Sequence, residues 1–201
     1  MTSYKLRRPG YDRKLRQVES QVADLDAALR HVKRFDCVVQ AGGAYGLWPL
    51  ALSERFNTVY TFEPDCHNFP LLAENTAERV NVIRWQAALG SQAGFVAVQR
   101  DDAEADNAGA GYVVAGGKVP VVALDTLCLP ALDFLCLDVE GYELEALTGA
   151  IRTIRAYRPV VMLESKRLPH MTQDPNAAVE LLLDLGYEVR EKVNRDVVLK
   201  C

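Results

Sequence analysis

Short apolar runs recur along the chain and alternate with segments whose apolar residues return every three or four positions. The runs are five to seven residues long and rich in valine, leucine and aromatic residues, which predicts buried β-strands. We place these strands at residues 36–40, 58–62, 80–85, 134–138, 160–164, 187–193 and 196–200. The segments between them predict helices at residues 46–56, from residue 65 or 68 onward, from 144 to 154 and from 174 to 186.

This alternation determines the expected fold class. Strands joined by helices form βαβ units and therefore a mainly parallel sheet with helices on both faces. Only the turn at 194–195 separates the last two strands, which is too short for a crossover and predicts an antiparallel hairpin. We therefore predict an α/β, Rossmann-like, doubly wound sheet that ends in an antiparallel hairpin, unlike the nicotinamide-binding Rossmann fold.

Two segments depart from the alternation and define the predicted domain organisation. Residues 1–33 form a basic arm and an amphipathic helix at 11–33, whose apolar stripe either packs against the domain or forms a homodimer seam. Residues 34–201 form the Rossmann-like domain, which carries a β-rich insertion at 94–124. In this insertion, strand-like pieces at 95–99 and 119–124 flank a loop at 101–117, which is either a solvated tip or a lid.

The composition is that of one ordinary globular domain. The chain has 201 residues, of which 49% are hydrophobic and 25% are charged. The net charge of -4 disfavours a nucleic-acid partner, because phosphate binding requires a basic surface. The first 16 residues are locally basic, and they form either a solvated arm or a contact with phosphates or a membrane surface.

The cysteines and the hydropathy of the chain indicate in which cellular compartment the protein is expected. Five cysteines without a CxxC pair predict reduced thiols rather than a disulfide framework or a zinc site. The first residues lack the apolar segment of a signal peptide, and no window approaches 18 uninterrupted apolar residues, so we expect no membrane span. These features together predict a cytoplasmic protein.

A glycine-rich loop follows the first strand, with the sequence Gln-Ala-Gly-Gly-Ala-Tyr-Gly at 40–46. Ligands of doubly wound sheets bind at the carboxyl ends of the strands, and glycines there allow a tight turn and close approach of the backbone. The second strand ends in Glu63 and Pro64, and a carboxylate at this position accepts hydrogen bonds from both ribose hydroxyls. This pair indicates a nucleoside-containing cofactor without separating NAD from S-adenosylmethionine.

A further strand end carries two carboxylates, Asp138 and Glu140, within the sequence Asp-Val-Glu-Gly-Tyr-Glu at 138–143. With the glycine loop and the terminal hairpin, this segment closely resembles the FkbM family of methyltransferases. The other matching motifs are Tyr-Thr-Phe-Glu-Pro-Asp at 60–65, Asn68-Phe69, Leu-Asp-Thr-Leu at 124–127, Leu147 and Gly149-Ala150. The resemblance extends over residues 36–164.

The resemblance implies a class I methyltransferase-like fold, S-adenosylmethionine as the cofactor, and methylation of a hydroxyl on a sugar or another small molecule. The cofactor carries the chemistry in such enzymes, and the protein supplies position and electrostatics. The sequence departs from the family at three positions. Gln40 stands where Asp is usual, Ala44 where Asn is usual and Cys136 where Lys is usual.

The predicted site has two groups of residues. The cofactor-binding residues are Gln40, Ala41, Gly42, Gly43, Gly46, Glu63, Pro64, Gln86, Ala87 and Asp138. The catalytic candidates are Asp138, Glu140 and His170, each as a general base. Their alternatives are contact of Asp138 with the amino group of the cofactor, capping of the next helix by Glu140, and an incidental exposed His170.

The acceptor pocket is expected near Glu164 and Lys166, which follow the next strand. We predict no metal ligand, although the acidic residues leave a divalent cation as an alternative. Two other functions stay open: a catalytically inactive cofactor-binding or interaction module, and an NAD-dependent oxidoreductase. The three departures from the family pattern keep the inactive module open, and the terminal hairpin disfavours the oxidoreductase.

Overall fold

The computed structural model of this protein describes residues 24–100, 111–171 and 174–201. Residues 24–29 are helical, so the predicted helix at 11–33 ends earlier than expected, and its residues 11–23 lie outside the described residues, as does the basic arm. Leu25 and Val32 belong to the predicted apolar stripe, and both are buried in one core cluster with Trp48. The described part of the stripe therefore packs on its own domain.

Seven of the described strands form the main sheet. They are β1 Cys37–Ala41, β2 Thr58–Phe62, β3 Val82–Trp85, β8 Phe134–Leu137, β9 Val160–Glu164, β10 Glu188–Val193 and β11 Asp196–Lys200. Their order is β10-β11-β9-β8-β1-β2-β3, and β11 runs in the direction opposite to the other six strands. The predicted mainly parallel sheet with a terminal antiparallel hairpin is confirmed.

The strand order reverses at β1, which lies between β2 and β8. From β1 the chain builds the sheet in one direction through β2 and β3, and then in the other direction through β8 and β9. A crevice opens where strand order reverses in this way, at the carboxyl ends of the strands. Residues that follow Ala41, Phe62 and Leu137 therefore converge on one edge of the sheet.

Alternating residues of the central strands fill two cores, one on each face of the sheet. Val39 and Leu135 belong to one core cluster, and Val38 and Phe134 belong to the other. Strands buried on both faces appear in the sequence as continuous apolar runs. This burial explains why the strands were predictable from short apolar blocks.

The helices are shorter than predicted. They are α1 Leu47–Ser53, α2 Phe69–Asn75, α3 Glu143–Thr148, α4 Ile151–Tyr157 and α5 Ala177–Asp184. Among the described residues, no helix has both the length and the apolar surface that crossing a bilayer requires. The single helix predicted from 144 to 154 is wrong, because α3 and α4 are separate helices.

Close packing and a side-chain cap explain this break. A Cβ on Gly149 would lie 2.0 Å from the carbonyl oxygen of Gly90, so the loop after β4 (Ala88–Leu89) packs directly on the break. The carboxylate of Asp125 accepts hydrogen bonds from the backbone N–H groups of Arg152 (3.0 Å) and Thr153 (2.8 Å) in the first turn of α4. These N–H groups have no partner within their own helix, and a remote side chain supplies it.

A second sheet occupies the predicted insertion. Its strands are β4, β5 Gly94–Arg100, β6 Gly111–Ala115 and β7 Val119–Val122, in the order β4-β7-β5-β6. The loop predicted at 101–117 is wrong at residues 111–115, because β6 pairs antiparallel with β5 and sets Val113 opposite Val98. The acidic and small residues at 101–110 dominated the composition of that window and concealed a strand; those ten residues lie outside the described part.

Candidate active site

A cavity with about 600 Å³ of empty space opens at the carboxyl ends of β1, β2 and β8, and we call it the strand-end cavity. The second sheet covers part of it through Val98, Gly111 and Val113. Seven residues predicted for the site line this cavity: Ala41, Gly42, Glu63, Pro64, Ala87, Asp138 and Glu140. The structure thus brings together residues from the ends of several strands, as the crevice rule requires.

Gly42 allows the loops after β1 and β8 to approach each other. Its φ is +84°, and a Cβ there would lie 1.7 Å from the carbonyl oxygen of Asp138. Gly43 and Gly46 serve the neighbouring packing instead. A Cβ on Gly43 would lie 2.3 Å from Leu72 of α2, and one on Gly46 would lie 3.2 Å from Thr76. Neither of these two predicted residues is part of the cavity wall.

Glu63 is buried at the wall of the strand-end cavity, with 5% of its surface exposed. One carboxylate oxygen accepts a hydrogen bond from the N–H of Ala44 at 2.6 Å, and the other accepts one from the N–H of Asp65 at 2.8 Å. Burial raises the pKa of Glu63 to about 8, although these two backbone donors act in the opposite direction. The carboxylate is therefore fixed in orientation and has a pKa close to neutral pH.

Arg100 links the second sheet to the loop that carries Glu63. Its guanidinium lies 2.9 Å from Asp65 and donates a hydrogen bond to the side chain of Asn68 at 3.1 Å. Asp65 in turn accepts hydrogen bonds from the N–H groups of His67 and Asn68. Sequence reasoning missed Arg100, because nothing in the sequence indicated that the end of β5 would reach this loop.

Gln40 lies inside the sheet rather than at the cavity. The predicted strand ended at residue 40, whereas β1 ends one residue later, so Gln40 is a strand residue with 0% exposure. Its Oε1 accepts a hydrogen bond from the hydroxyl of Thr61 at 2.7 Å, and its Nε2 has no partner among the described residues. Gln86, also predicted to contact the cofactor, is exposed and does not line the cavity.

Three carboxylates and one ammonium meet beside Asp138. Oxygen atoms of Asp138, Glu140 and Glu164 lie within 4.8 Å of one another. The Nζ of Lys166 lies 2.8 Å from Glu164 and 3.2 Å from Glu140. We call these four residues the carboxylate–lysine cluster. The sequence placed Glu164 and Lys166 near the acceptor pocket but did not indicate this direct contact.

Burial dominates the electrostatics of the cluster. It raises the pKa of Asp138 well above its usual range, and the nearby charges of Glu164 and Glu140 act in the same direction. Burial also raises the pKa of Glu140, with Lys166 in opposition. Burial alone would lower the pKa of Lys166, but its hydrogen bond to Glu164 and the charge of Glu140 raise it. Lys166 is therefore cationic, and Asp138 retains a proton most readily.

Glu143, which sequence analysis did not single out, stabilises the turn that precedes α3. Its carboxylate accepts hydrogen bonds from the N–H groups of Val139 (3.2 Å) and Gly141 (3.4 Å). Burial raises its pKa to about 7. The turn that it stabilises contains Glu140 with φ +53° and Gly141 with φ +94°. This turn directs Glu140 towards Lys166 rather than towards the helix.

A second cavity, with about 500 Å³ of empty space, adjoins the first, and we call it the side cavity. Its wall consists of Val113, Glu140, Gly141, Tyr142, Glu145, His170 and Met171. Val113, Glu140 and Tyr142 line both cavities. Glu140, a predicted catalytic residue, thus lies at the boundary between the two spaces.

His170 contributes to the wall of the side cavity and is held on two sides. Its ring stacks on Tyr112 of β6, with centroids 3.8 Å apart and planes 9° apart. Its Nε2 lies 2.8 Å from the carbonyl oxygen of Glu140, which assigns a proton to that nitrogen. The predicted histidine is therefore an ordered wall residue, and its contact with Glu140 is made through the backbone.

Comparisons with known proteins bear on the identity of this site. Residues 36–189 match the family model described as the methyltransferase FkbM domain. No curated protein sequence matches the chain. The crystal structure of the FkbM methyltransferase from Methylobacillus flagellatus KT has a TM-score of 0.55 at 20% identity and covers 83% of this chain. This chain spans 44% of the length of that protein.

Two further solved structures share the fold. Precorrin 8w decarboxylase from Methanobacterium thermoautotrophicum has a TM-score of 0.53 at 16% identity, over 90% of this chain and 89% of that one. Aeropyrum pernix fibrillarin, solved with natively bound S-adenosyl-L-methionine, has a TM-score of 0.50 at 16% identity, over 88% of this chain and 73% of that one. At these identities the likeness concerns the fold, and it agrees with the predicted Rossmann-like class.

Proposed function

The chain belongs to the FkbM methyltransferase domain family, and on that premise we propose that it transfers a methyl group from S-adenosylmethionine to a hydroxyl of a small molecule. The family membership confirms the resemblance that the sequence motifs carried. The observation that supports the proposed cofactor most directly is the buried carboxylate of Glu63 at the end of β2, beside the glycine loop.

The position and the charge of the strand-end cavity suit this cofactor. Gly42 brings the backbone of the glycine loop to the cavity wall, and Glu63 offers oxygens for ribose hydroxyls. Asp138 and Glu140 make the opposite wall acidic, which suits a ligand with a cationic sulfonium centre. When bound, the cofactor would supply a methyl group already activated for transfer.

We assign the acceptor to the side cavity, because this space shares Glu140 with the strand-end cavity. The described wall carries two carboxylates, Glu140 and Glu145, together with the imidazole of His170 and the phenol of Tyr142. An acidic wall disfavours phosphorylated or carboxylated acceptors and favours uncharged hydroxyl compounds such as sugars. Tyr142 and His170 add flat rings to this wall, of the kind on which a sugar ring packs, and Tyr112 holds His170 by stacking.

Glu140 is the preferred general base in this proposal. The Glu140 carboxylate would accept the hydroxyl proton of the acceptor as the acceptor oxygen takes the methyl group, and S-adenosylhomocysteine would leave. A base in this position typically contributes 10²–10⁴-fold to the rate. Asp138 faces the same region with a more strongly raised pKa, and His170 directs one nitrogen at a backbone carbonyl, so we place both second.

Two of the three departures from the family pattern lie away from the cavity wall, whereas Ala44, where Asn is usual, lines the strand-end cavity. Gln40 and Cys136 are both 0% exposed within the sheet, and neither lines the strand-end cavity. This placement favours an active enzyme over the alternative of an inactive module. The antiparallel β10–β11 hairpin disfavours the oxidoreductase alternative, as it did in the sequence.

Isothermal titration calorimetry with S-adenosylhomocysteine tests the cofactor assignment. We expect the unaltered protein to bind this ligand and Glu63→Ala to lose most of the affinity, because the ribose hydroxyls lose their acceptor. Glu54→Ala is the matched control, since Glu54 is an exposed glutamate that pairs with Arg79 outside the site. Absence of binding to the unaltered protein, or binding of NAD in its place, would refute the proposal.

A further inference from the structure

Lys166 is placed where an acidic cluster of this kind would otherwise bind a metal ion. Asp138, Glu140 and Glu164 each present an oxygen within 4.8 Å of the others, a spacing that suits a divalent cation. The ammonium of Lys166 lies against two of them, at 2.8 Å from Glu164 and 3.2 Å from Glu140. Among the described residues, these are the ion pairs that the cluster makes.

The surroundings of the cluster favour a cation beside its carboxylates. Side-chain exposures are 18% for Glu140, 10% for Glu164 and 20% for Lys166, so water screens these charges only in part. Asp196 is the register partner of Glu164 on β11 and adds a further carboxylate. Several carboxylates held this close require a cation, a bound proton or both.

The backbone holds Lys166 in this place. Glu164 is the last residue of β9, and the N–H of Ser165 donates a hydrogen bond to the carbonyl oxygen of Arg195 at 2.9 Å. Lys166 follows directly, so its starting point is tied to the turn between β10 and β11. Glu140 is fixed from the other side by the turn that Glu143 stabilises. The ion pair therefore joins two restrained segments and is not a loose surface contact.

We propose that Lys166 serves as a built-in cation in place of a divalent metal ion, holding Glu140 and Glu164 at the junction of the two cavities. Its catalytic consequence rests on the proposed function: methyl transfer at this site proceeds without a metal ion, and Lys166 acts as a positioning residue for Glu140. Its structural consequence does not depend on that function. Removal of the ammonium converts the cluster into a site for a divalent cation.

Binding of Mn²⁺, followed by electron paramagnetic resonance and calorimetry, tests this inference without any acceptor. We expect no site in the unaltered protein up to about 1 mM Mn²⁺, and one site in Lys166→Met with a Kd at or below about 1 mM, the range of weak protein cation sites. Lys166→Arg retains the positive charge and should gain no site. Lys192→Met, at an exposed lysine on β10, is the matched control and should gain none either.

Each result of the Mn²⁺ titration either supports or overturns the inference about Lys166. A Mn²⁺ site in the unaltered protein would overturn the inference, as would a folded Lys166→Met variant that gains no site. If Lys166→Met does not fold, Lys166→Gln retains a hydrogen-bond donor and undergoes the same titration with the same expectations. S-adenosylhomocysteine binding is measured on every variant, so failure of the proposed function shows as loss of that binding in the unaltered protein, independently of Mn²⁺.

Once an acceptor is identified, the rate of methyl transfer tests whether Lys166 positions Glu140. Methyl transfer by the unaltered protein should be insensitive to EDTA. Lys166→Met should lose most of its kcat, and added Mn²⁺ or Mg²⁺ should restore part of it. A residue that only stabilised the fold would show no such rescue, and a rate in the unaltered protein that EDTA abolishes would contradict the role.

Discussion

Gln40 and Cys136 are register partners on the neighbouring parallel strands β1 and β8, and both are fully buried. The family resemblance gives Asp and Lys as the usual residues at these positions, so two of the three departures in this chain are adjacent in space. One buried charge without its partner destabilises a fold strongly, whereas removal of both charges is often neutral. The two departures are therefore best understood as one coupled change in the sheet.

A double-mutant cycle tests this coupling. We expect Gln40→Asp and Cys136→Lys each to lower the free energy of unfolding by roughly 3–5 kcal/mol, because each introduces an unpaired buried charge. The double variant should lose less than the sum, with a coupling of roughly 0.5–3 kcal/mol. Urea unfolding followed by circular dichroism measures all four proteins. Strictly additive losses would show that the two positions are independent.

The approach of the loop at Gly42 to Asp138 gives a second prediction. Gly42→Ala places a Cβ against the carbonyl oxygen of Asp138 and forces alanine to adopt a φ of +84°. The left-handed backbone alone costs roughly 1–2 kcal/mol, and the steric clash adds to it. We expect Tm to fall by at least about 2–4 °C and S-adenosylhomocysteine affinity to fall as well.

Gly94→Ala is the matched control for Gly42→Ala. A Cβ on Gly94 has no neighbouring atom within 4 Å, so this substitution should leave both Tm and ligand affinity almost unchanged. Differential scanning fluorimetry and calorimetry provide the two readouts. Equal changes in Tm and affinity for the two substitutions would show that close packing at Gly42 does not cause the effect of Gly42→Ala.

The strand-end part of the site was predictable from the sequence because it depends on local rules. A glycine loop after one strand and Glu63 after the next are brought together by the crevice of a doubly wound sheet, whatever the details of packing. The exact ends of the strands were harder to predict from the sequence. The strand continues one residue beyond the predicted end, so Gln40 is a buried strand residue rather than the last residue before the cavity.

Contacts between distant segments were not predictable. Arg100 reaches Asp65, and Tyr112 stacks on His170, only because the second sheet folds over the strand ends. Two strands of the second sheet, β5 and β7, were predicted, whereas β6 was missed. The valines of β6 follow an acidic, glycine-rich stretch whose composition predicts a loop. The pairing of Lys166 with Glu140 depends on a turn with a left-handed residue, and no periodicity in the sequence reports such a turn.

The pKa of Glu63 predicts how cofactor affinity depends on pH. Burial raises this pKa to about 8, so the carboxyl holds a proton below that pH and loses it above. The ionised form accepts hydrogen bonds from ribose hydroxyls with both oxygens, so affinity for S-adenosylhomocysteine should fall as pH decreases from about 9 to 6. The limit is about tenfold for each pH unit below the pKa, as proton linkage requires.

Glu63→Gln serves as the control for this pH dependence, because an amide does not titrate in the same range. Its affinity should be lower at pH 9 and nearly independent of pH, apart from any titration of the ligand itself, which both proteins share. Calorimetry at four pH values provides the comparison. Parallel pH profiles for the two proteins would assign the dependence to another group.

The position of Glu140 at the boundary of both cavities leads to the last prediction, which separates catalysis from binding. Glu140→Gln keeps the shape of the side chain but removes the base, so kcat with an identified acceptor should fall by roughly 10²–10⁴-fold. Affinity for S-adenosylhomocysteine should change by less than about threefold, which is below 1 kcal/mol, since the ribose contacts lie at Glu63. Glu145→Gln is the comparison, because Glu145 lines only the side cavity. A base at Glu140 requires a far larger loss of kcat in Glu140→Gln than in Glu145→Gln. If instead Asp138→Asn abolishes turnover while Glu140→Gln retains it, the proton passes to the more deeply buried carboxyl, and Glu140 acts only through its contact with Lys166.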